Sequence, residues 1–336
     1  MKRFVLKSLL YSLPILIPII IFVFFISPYL SGDIGPLGYI RFSKGYGELE
    51  LLEDSKVIHS GYKLPSFSDS CLLTIGDSFS QGVSYNHFFA ELTDYKVINM
   101  NKQCYTISPF VRFLYAARTN ALPKTVIIET AERYFVDRLC EMNIDQFDDL
   151  MFYKYKIDTN TTVIKQSSRK TVLEKSQEWM KRKIGYDENP IKFCELNKPC
   201  FTCSANESSL YFYDYDIINI PTSDSLLNIS ILKLDSLFAY ADSIGIDLYL
   251  LIAADKYDVY QTYIIENPYP KQDVLERLYL MYPHPRVINS KDTLSKMVAS
   301  DVMDVYWCND THWSPVGARA VAHQVLEVIT SNKLKY

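Results

Sequence analysis

The chain has 336 residues, 48% hydrophobic and 22% charged, with a formal net charge of −4. That length holds one large domain with a sizeable core, or a domain plus an insertion, and the composition excludes a disordered chain. The slight acidity, without a dense Lys/Arg stripe, excludes a nucleic-acid footprint.

At the N-terminus Lys2, Arg3 and Lys7 precede an apolar run at residues 9–30, and no charge falls between Lys7 and Asp33. About 20 apolar residues span a bilayer core as a helix. Basic residues stay on the cytoplasmic side. Residues 1–30 are therefore expected to form a cytoplasmic N-terminus and a single-pass anchor in the inner membrane, with the body extracytoplasmic (periplasmic). The run exceeds a usual signal-peptide core and no A-x-A-like site follows it, so cleavage is the lesser alternative.

Residues 31–65 read as a short β-rich lead-in, with antiparallel strands at 39–42 and 49–52 separated by Gly45 and Gly47. From residue 66 the pattern changes to strands alternating with helices. Strands are expected at 71–75, 96–100, 125–129, 246–253 and 286–289, and helices at 80–93 and 109–120. Ser223 and Asp224 cap a helix that ends at Gly245, and Ser314 and Pro315 open the last one. Such alternation predicts an α/β fold with a mainly parallel sheet covered on both faces. Residues 139–222 do not fit it and read as an insertion or cap, with a charged helical stretch at 170–184 and an aromatic strand at 210–215. Cys194, Cys200 and Cys203 cluster there and are candidates for a local disulfide. No His lies near them, so no metal site is expected.

Two motifs carry chemistry. In LLTIGDSFSQG at 72–82 an apolar strand runs into Gly76-Asp77-Ser78. A serine there stands above the carboxyl edge of a sheet, where its own backbone N–H and the N-terminus of a following helix favour an oxyanion. A plain turn with Asp77 or Ser78 as helix cap is the competing reading. NDTHWSPVGA at 309–318 sets Asp310 two residues before His312, on a loop preceding the last helix. A serine nucleophile needs a base within reach and a carboxylate to orient that base. Of the five His, only His312 has that setting; His87 and His323 fall in helices, and His284 in a Pro-flanked turn expected to be solvated.

The paired GDSFS and DTHWSPVGA motifs resemble the SGNH hydrolase superfamily, closest to its alginate O-acetyltransferase AlgX/AlgJ-like branch. VIIETAERY at 126–134 and ADKYDVY at 254–260 resemble further segments of that branch. The likeness covers roughly residues 66–136 and 225–330. It implies a three-layer SGNH (flavodoxin-like) sandwich with Ser78 as nucleophile, His312 as base and Asp310 as its orienting carboxylate. It also implies an acetyl group, an exopolysaccharide or cell-envelope glycan as acceptor, a membrane-bound O-acyltransferase that supplies the acyl group, and no cofactor. Three departures stand out, one being that the superfamily's Gly after the second strand is not evident at 99–106, where Cys104 stands instead. Ser78 precedes the Asp-x-His pair, whereas the alginate enzymes have it after. The superfamily's Gly-x-Asn-Asp block is absent, and Glu129 and Arg133 occupy its region. Asp77, Cys104, Arg133, Lys256, Tyr257 and Trp313 are therefore the candidates for substrate or oxyanion contacts. From its place Arg133 could bind an acyl donor, orient Asp77, or pair with Glu129 or Glu132. A glycan esterase using the same residues, or a non-catalytic glycan-binding or assembly protein on the same fold, are the alternatives.

Overall fold

A computed structural model describes residues 11–19, 57–60, 64, 67, 70–80, 84–100, 107–119, 122–142, 191–202, 207–218, 222–308 and 310–333. Six strands form one parallel sheet: β1 (Val57–Ser60), β2 (Cys71–Ile75), β3 (Lys96–Met100), β4 (Thr125–Ala131), β7 (Asp247–Ala253) and β8 (Val287–Asn289), in the order β1-β3-β2-β4-β7-β8. The remaining pair, β5 (Ile191–Glu195) and β6 (Ser209–Tyr213), is a separate antiparallel hairpin. All residues of β2 and β4 are buried, which is why their sequences are continuous apolar runs rather than alternating ones.

The helices are α1 (Tyr85–Leu92), α2 (Pro109–Thr119), α3 (Glu132–Glu141), α4 (Tyr215–Ile218), α5 (Asp224–Ser243), α6 (Lys256–Tyr260), α7 (Val274–Met281), α8 (Ser290–Ala299) and α9 (Pro315–Lys333). One group, α1, α8 and α9, packs together, and α3 packs on α5. Right-handed crossovers put these groups on opposite faces of the sheet. The Ser223 side chain caps α5, accepting from Leu226 N at 3.3 Å, as its sequence suggested.

Beyond its edge strand β1, the sheet has the flavodoxin-like order, and its switch point lies between β2 and β4. There the chain leaves β2 toward one neighbour and β4 toward the other. The crevice that open α/β sheets use for ligands lies outside the carboxyl ends of the strands at such a point, and Ser78 follows the carboxyl end of β2 there.

Some expectations shift. Val57–Ser60, inside the expected lead-in, joins the main sheet parallel to β3; the strands expected at 39–42 and 49–52 lie outside the described residues. Helix α3 runs to Glu141, so the first residues assigned to the insertion belong to the helical layer. Of the rest of the insertion, the structure describes the β5–β6 hairpin and α4, while the helical stretch expected at 170–184 lies outside the described residues. Cys194 and Cys200 form no disulfide, and Cys203 lies outside the described residues. His284 is not simply solvated: its ring stacks on Phe238 and Tyr282 with centroids 4.5 and 5.1 Å away. Among the described residues no helix is long and apolar enough to cross a membrane. Most of the apolar run at 9–30 lies outside them; residues 11–19 are helical and largely exposed.

Candidate active site

The turn at Gly76–Ser80 is built around a buried carboxylate. Glu129 lies within β4 beside β2, and its Oε2 accepts from Asp77 N at 2.7 Å and from Ser80 Oγ at 2.6 Å. Arg112, buried on α2, donates to Gly76 O at 2.6 Å and to Met100 O at 2.6 Å. Asn99 Nδ2 donates to Ser80 O at 2.5 Å. Both ends of the turn from Gly76 to Ser80 are thus tied to β3, β4 and α2. Gly76 has no room for a side chain, since a Cβ there would lie 1.9 Å from Ser80 Oγ and 2.8 Å from Glu129 Oε2.

The carboxyls of Asp77 and Glu129 are shifted in opposite directions. Burial raises Asp77, but the charge and hydrogen bond of Arg138, with the Ser78 N–H, outweigh it and hold the carboxyl below its ordinary range. Glu129 is pushed up to about 7, first by burial and then by the Asp77 charge. A folded-state value above the unfolded one means that the native state binds this proton more tightly. Its stabilisation is whole below the ordinary 4.5 and is lost as pH rises through about 7. Asp258, raised to about 7 mainly by burial, adds a similar slope. The difference between two chains isolates Glu129. Relative to Glu129→Gln, the unaltered protein should lose stability as pH climbs from 4.5 to 7. Urea midpoints at several pH values would measure this, and a gap that does not change with pH would contradict it.

The expected oxyanion support is not laid out as the sequence suggested. After a single 3-10 turn at Ser78–Ser80, α1 begins only at Tyr85. Its dipole therefore does not start at the serine. The Ser78 N–H donates to the Asp77 side chain, Oδ1, at 2.8 Å.

The second motif forms a tight loop. Tyr306 and Trp313 pair across its base, with Trp307 N donating to His312 O at 3.3 Å. Within it Asp310 Oδ1 accepts from the His312 backbone N at 2.9 Å and lies 2.6 Å from His312 Nδ1. That contact makes Nδ1 the protonated nitrogen of a neutral ring and leaves Nε2 as the basic one. The Asp310 side chain is 5% exposed and that of His312 28%.

Phe79 joins the two motifs. Its ring meets His312 edge-on at a centroid distance of 5.0 Å and Trp313 at 4.7 Å. Trp313 also packs against Tyr85 of α1, and its Nε1 donates to Tyr306 Oη at 3.1 Å. Trp313 is therefore a wall between the motifs. Within residues 71–80 only Ser78 is part-exposed, and within 310–315 only His312. A Ser78 Oγ–His312 Nε2 hydrogen bond is not among the contacts of these side chains. Such bonds tighten on substrate binding.

The other candidates separate. Arg133 does not orient Asp77 or pair with Glu129 or Glu132: it donates to Asp216 at 2.5 Å and to Asp255 at 2.7 Å. Arg138 holds Asp77 instead, and donates to Thr130 Oγ1 at 3.1 Å. Five residues along a helix turn the side chain by about 140°, so Arg133 faces β7 while Arg138 faces β2. Lys256 and Tyr257 are fully buried. Lys256 binds backbone carbonyls, and Tyr257 Oη donates to Pro270 O at 2.8 Å. Neither offers its polar group to the crevice. Cys104 lies outside the described residues. Sequence reasoning passed over Glu129 and Arg138 as working residues. The signal for Glu129 was a carboxylate inside an otherwise apolar strand, since such groups are seldom buried without a task; nothing in the spacing marked Arg138.

Among the described residues no group of three or more His, Cys, Asp or Glu is arranged to hold a metal ion. No curated protein and no solved structure matches the chain. A family model described as SGNH hydrolase-like domain, acetyltransferase AlgX, matches residues 239–335, which include Lys256, Asp310 and His312 but not Ser78. Residues 239–335 are thus similar to an AlgX-type SGNH hydrolase-like domain, and the strand they contribute at 247–253 lies in a sheet of flavodoxin-like order.

Proposed function

We propose that the protein is an O-acyltransferase of the acetyl-transferring kind, working through Ser78, His312 and Asp310. One observation carries the reading: within residues 71–80 and 310–315 the part-exposed residues are Ser78 and His312, a serine and a carboxylate-bound histidine. In the first step Ser78 Oγ attacks the carbonyl of an acyl ester as its proton passes to His312 Nε2. Collapse of the tetrahedral intermediate breaks the ester C–O bond, and the leaving alkoxide takes that proton. In the second step His312 removes a proton from an acceptor hydroxyl, which attacks the acyl-serine; collapse breaks the serine ester C–O bond, and Ser78 Oγ takes that proton from His312. Asp310 holds the imidazole in the required tautomer and balances its charge while it is protonated.

The acceptor proposed is an exopolysaccharide or cell-envelope glycan, with the acyl group handed over by a membrane-bound O-acyltransferase. Both rest on the AlgX-type likeness. The purified full-length chain, given an aryl acetate with and without oligosaccharide, should form acetylated sugar detectable by mass spectrometry. Free acetate alone, at a rate unaffected by sugar, would favour the esterase reading. Failure to turn over any acyl ester would favour a non-catalytic glycan-binding protein.

For the N-terminus we propose a single-pass inner-membrane anchor with the body in the periplasm. The exposed Ile15, Ile17 and Ile19 on the helical segment at 11–19 support it, since an apolar helix in water gains by entering lipid. Protease added to cells with a permeabilised outer layer should digest the body. Protection until the inner membrane is broken would reverse the topology.

A further inference from the structure

We propose that Lys256 is a positioning residue for the Asp310–His312 pair, an internal cation at the centre of the loop that carries them; this rests on the acyl-transfer reading above. Lys256 opens α6 at the carboxyl end of β7 and is fully buried. Its Nζ donates to Trp307 O at 2.7 Å, Cys308 O at 2.8 Å and Asp310 O at 3.3 Å. An ammonium group has three donors, and here three carbonyls of one loop converge on it.

Those carbonyls face one point because the loop is curled. Its base is closed by the Tyr306–Trp313 pairing, and Tyr306 Oη donates to Ala254 O at 2.7 Å, two residues before Lys256. Carbonyl dipoles turned toward one another in a dry interior repel, and each one left unpaired is costly. A cation at their focus removes both costs and makes the curled form the stable one. The curl is what brings Asp310 Oδ1 against His312 Nδ1, at 2.6 Å. The segment that follows β5 packs beside Lys256 and the residues leading into the loop. The Phe201 ring lies 5.0 Å from Lys256 Nζ, and Thr202 N donates to Asp304 Oδ1 at 2.8 Å.

The lysine is itself held in place. Asp255, immediately before it, donates its N–H to Glu132 Oε2 at 3.0 Å and takes a hydrogen bond from Arg133 at 2.7 Å. The carboxyl ends of β4 and β7 thus anchor Lys256, and Lys256 anchors the loop. This gives the Lys-containing segment at 254–260 a task other than substrate contact. It also explains why a charge is buried there: an apolar side chain of the same length would fill the space but leave the carbonyls unpaired.

The test compares kcat and KM for aryl acetate hydrolysis by the full-length chain and by Lys256→Met, Lys256→Gln, Asp310→Asn and the Lys256→Met/Asp310→Asn double variant. Near-UV circular dichroism would give the folded fraction of each. Lys256→Met should lower kcat by roughly 100-fold with KM little changed, the scale expected of a misplaced catalytic group. Lys256→Gln, which keeps two donors, should fall between it and the unaltered chain. In the Asp310→Asn background the methionine substitution should cost little more, because the loop no longer presents a working carboxylate. An equal factor in both backgrounds, or a change in KM alone, would overturn the proposal. So would unfolding of both lysine variants where Asp310→Asn folds, which would assign Lys256 to the fold. If Ser78→Ala keeps its activity, the acyl-transfer reading itself fails. If Ser78→Ala is inactive and Lys256→Met keeps full kcat, only the role of Lys256 fails.

Discussion

Ser78→Ala should lose acyl-ester turnover by roughly 10⁴- to 10⁶-fold, the range seen when the nucleophile of a triad is removed. The fold should survive. The turn is held by Glu129, Arg112 and Asn99 through Asp77 N, Gly76 O, Ser80 Oγ and Ser80 O. None of those bonds uses the Ser78 side chain, and a part-exposed Ser→Ala change of this kind shifts stability by about 0.5 kcal/mol or less. The thermal midpoint should therefore stay close to that of the unaltered chain while the rate collapses. A folded Ser78→Ala chain with near-normal turnover would remove Ser78 as nucleophile.

The same turn bears on how an oxyanion would be held. Asp77 Oδ1 takes the Ser78 N–H, and Arg138 takes the other oxygen of that carboxylate. A negative charge growing on a bound acyl group would compete with Asp77 for the Ser78 N–H. Arg138 is placed to keep Asp77 satisfied when that happens. This competition follows from a side-chain rotamer and a partner 61 residues away. No spacing rule in the sequence expresses it.

What the sequence did express follows from burial. β2, β4 and β7 are covered on both faces, so their apolar runs stood out, and the helices between them were bounded by caps and by proline. The GDS and DTHW motifs singled out Ser78, Asp310 and His312, and of these the structure brings Asp310 Oδ1 within 2.6 Å of His312 Nδ1. Short elements did not show. α6 has five residues, too few to display a helical period, and α7 and α8 were not marked out either. Long-range choices did not show either. Arg133 and Arg138 lie on one helix with similar credentials, and only the helix's rotation assigns one to Asp255 and the other to Asp77. Lys256 was legible as a residue of interest but not as a loop clamp, because its partners are backbone carbonyls, which every sequence has.

The second large effect concerns the pair on the loop. Asp310→Asn should lower the rate by roughly 10⁴-fold, as for triads whose carboxylate is neutralised without loss of shape. Asp310 Oδ1 now serves both the backbone N and the Nδ1 of His312, at 2.9 and 2.6 Å. An asparagine carbonyl can keep the backbone contact, so the loop should stay folded. It supplies no negative charge, however, and its amide can turn the imidazole to the tautomer in which Nε2 carries the proton and cannot take one from Ser78. His312→Ala should lose at least as much as Asp310→Asn. Added to Ser78→Ala, it should cost little further, because a base has no function once its nucleophile is gone. Phe79 touches both His312 and Trp313, so the histidine variant also loses a packing contact, and its folded fraction must be measured before the rates are compared. Initial rates for the two single variants and the double, each corrected for folded fraction, give the answer directly. Losses that multiply would mean that Ser78 and His312 act separately. The chemistry would then have to be sought around Arg138 and Asp77, the other charged pair beside the crevice.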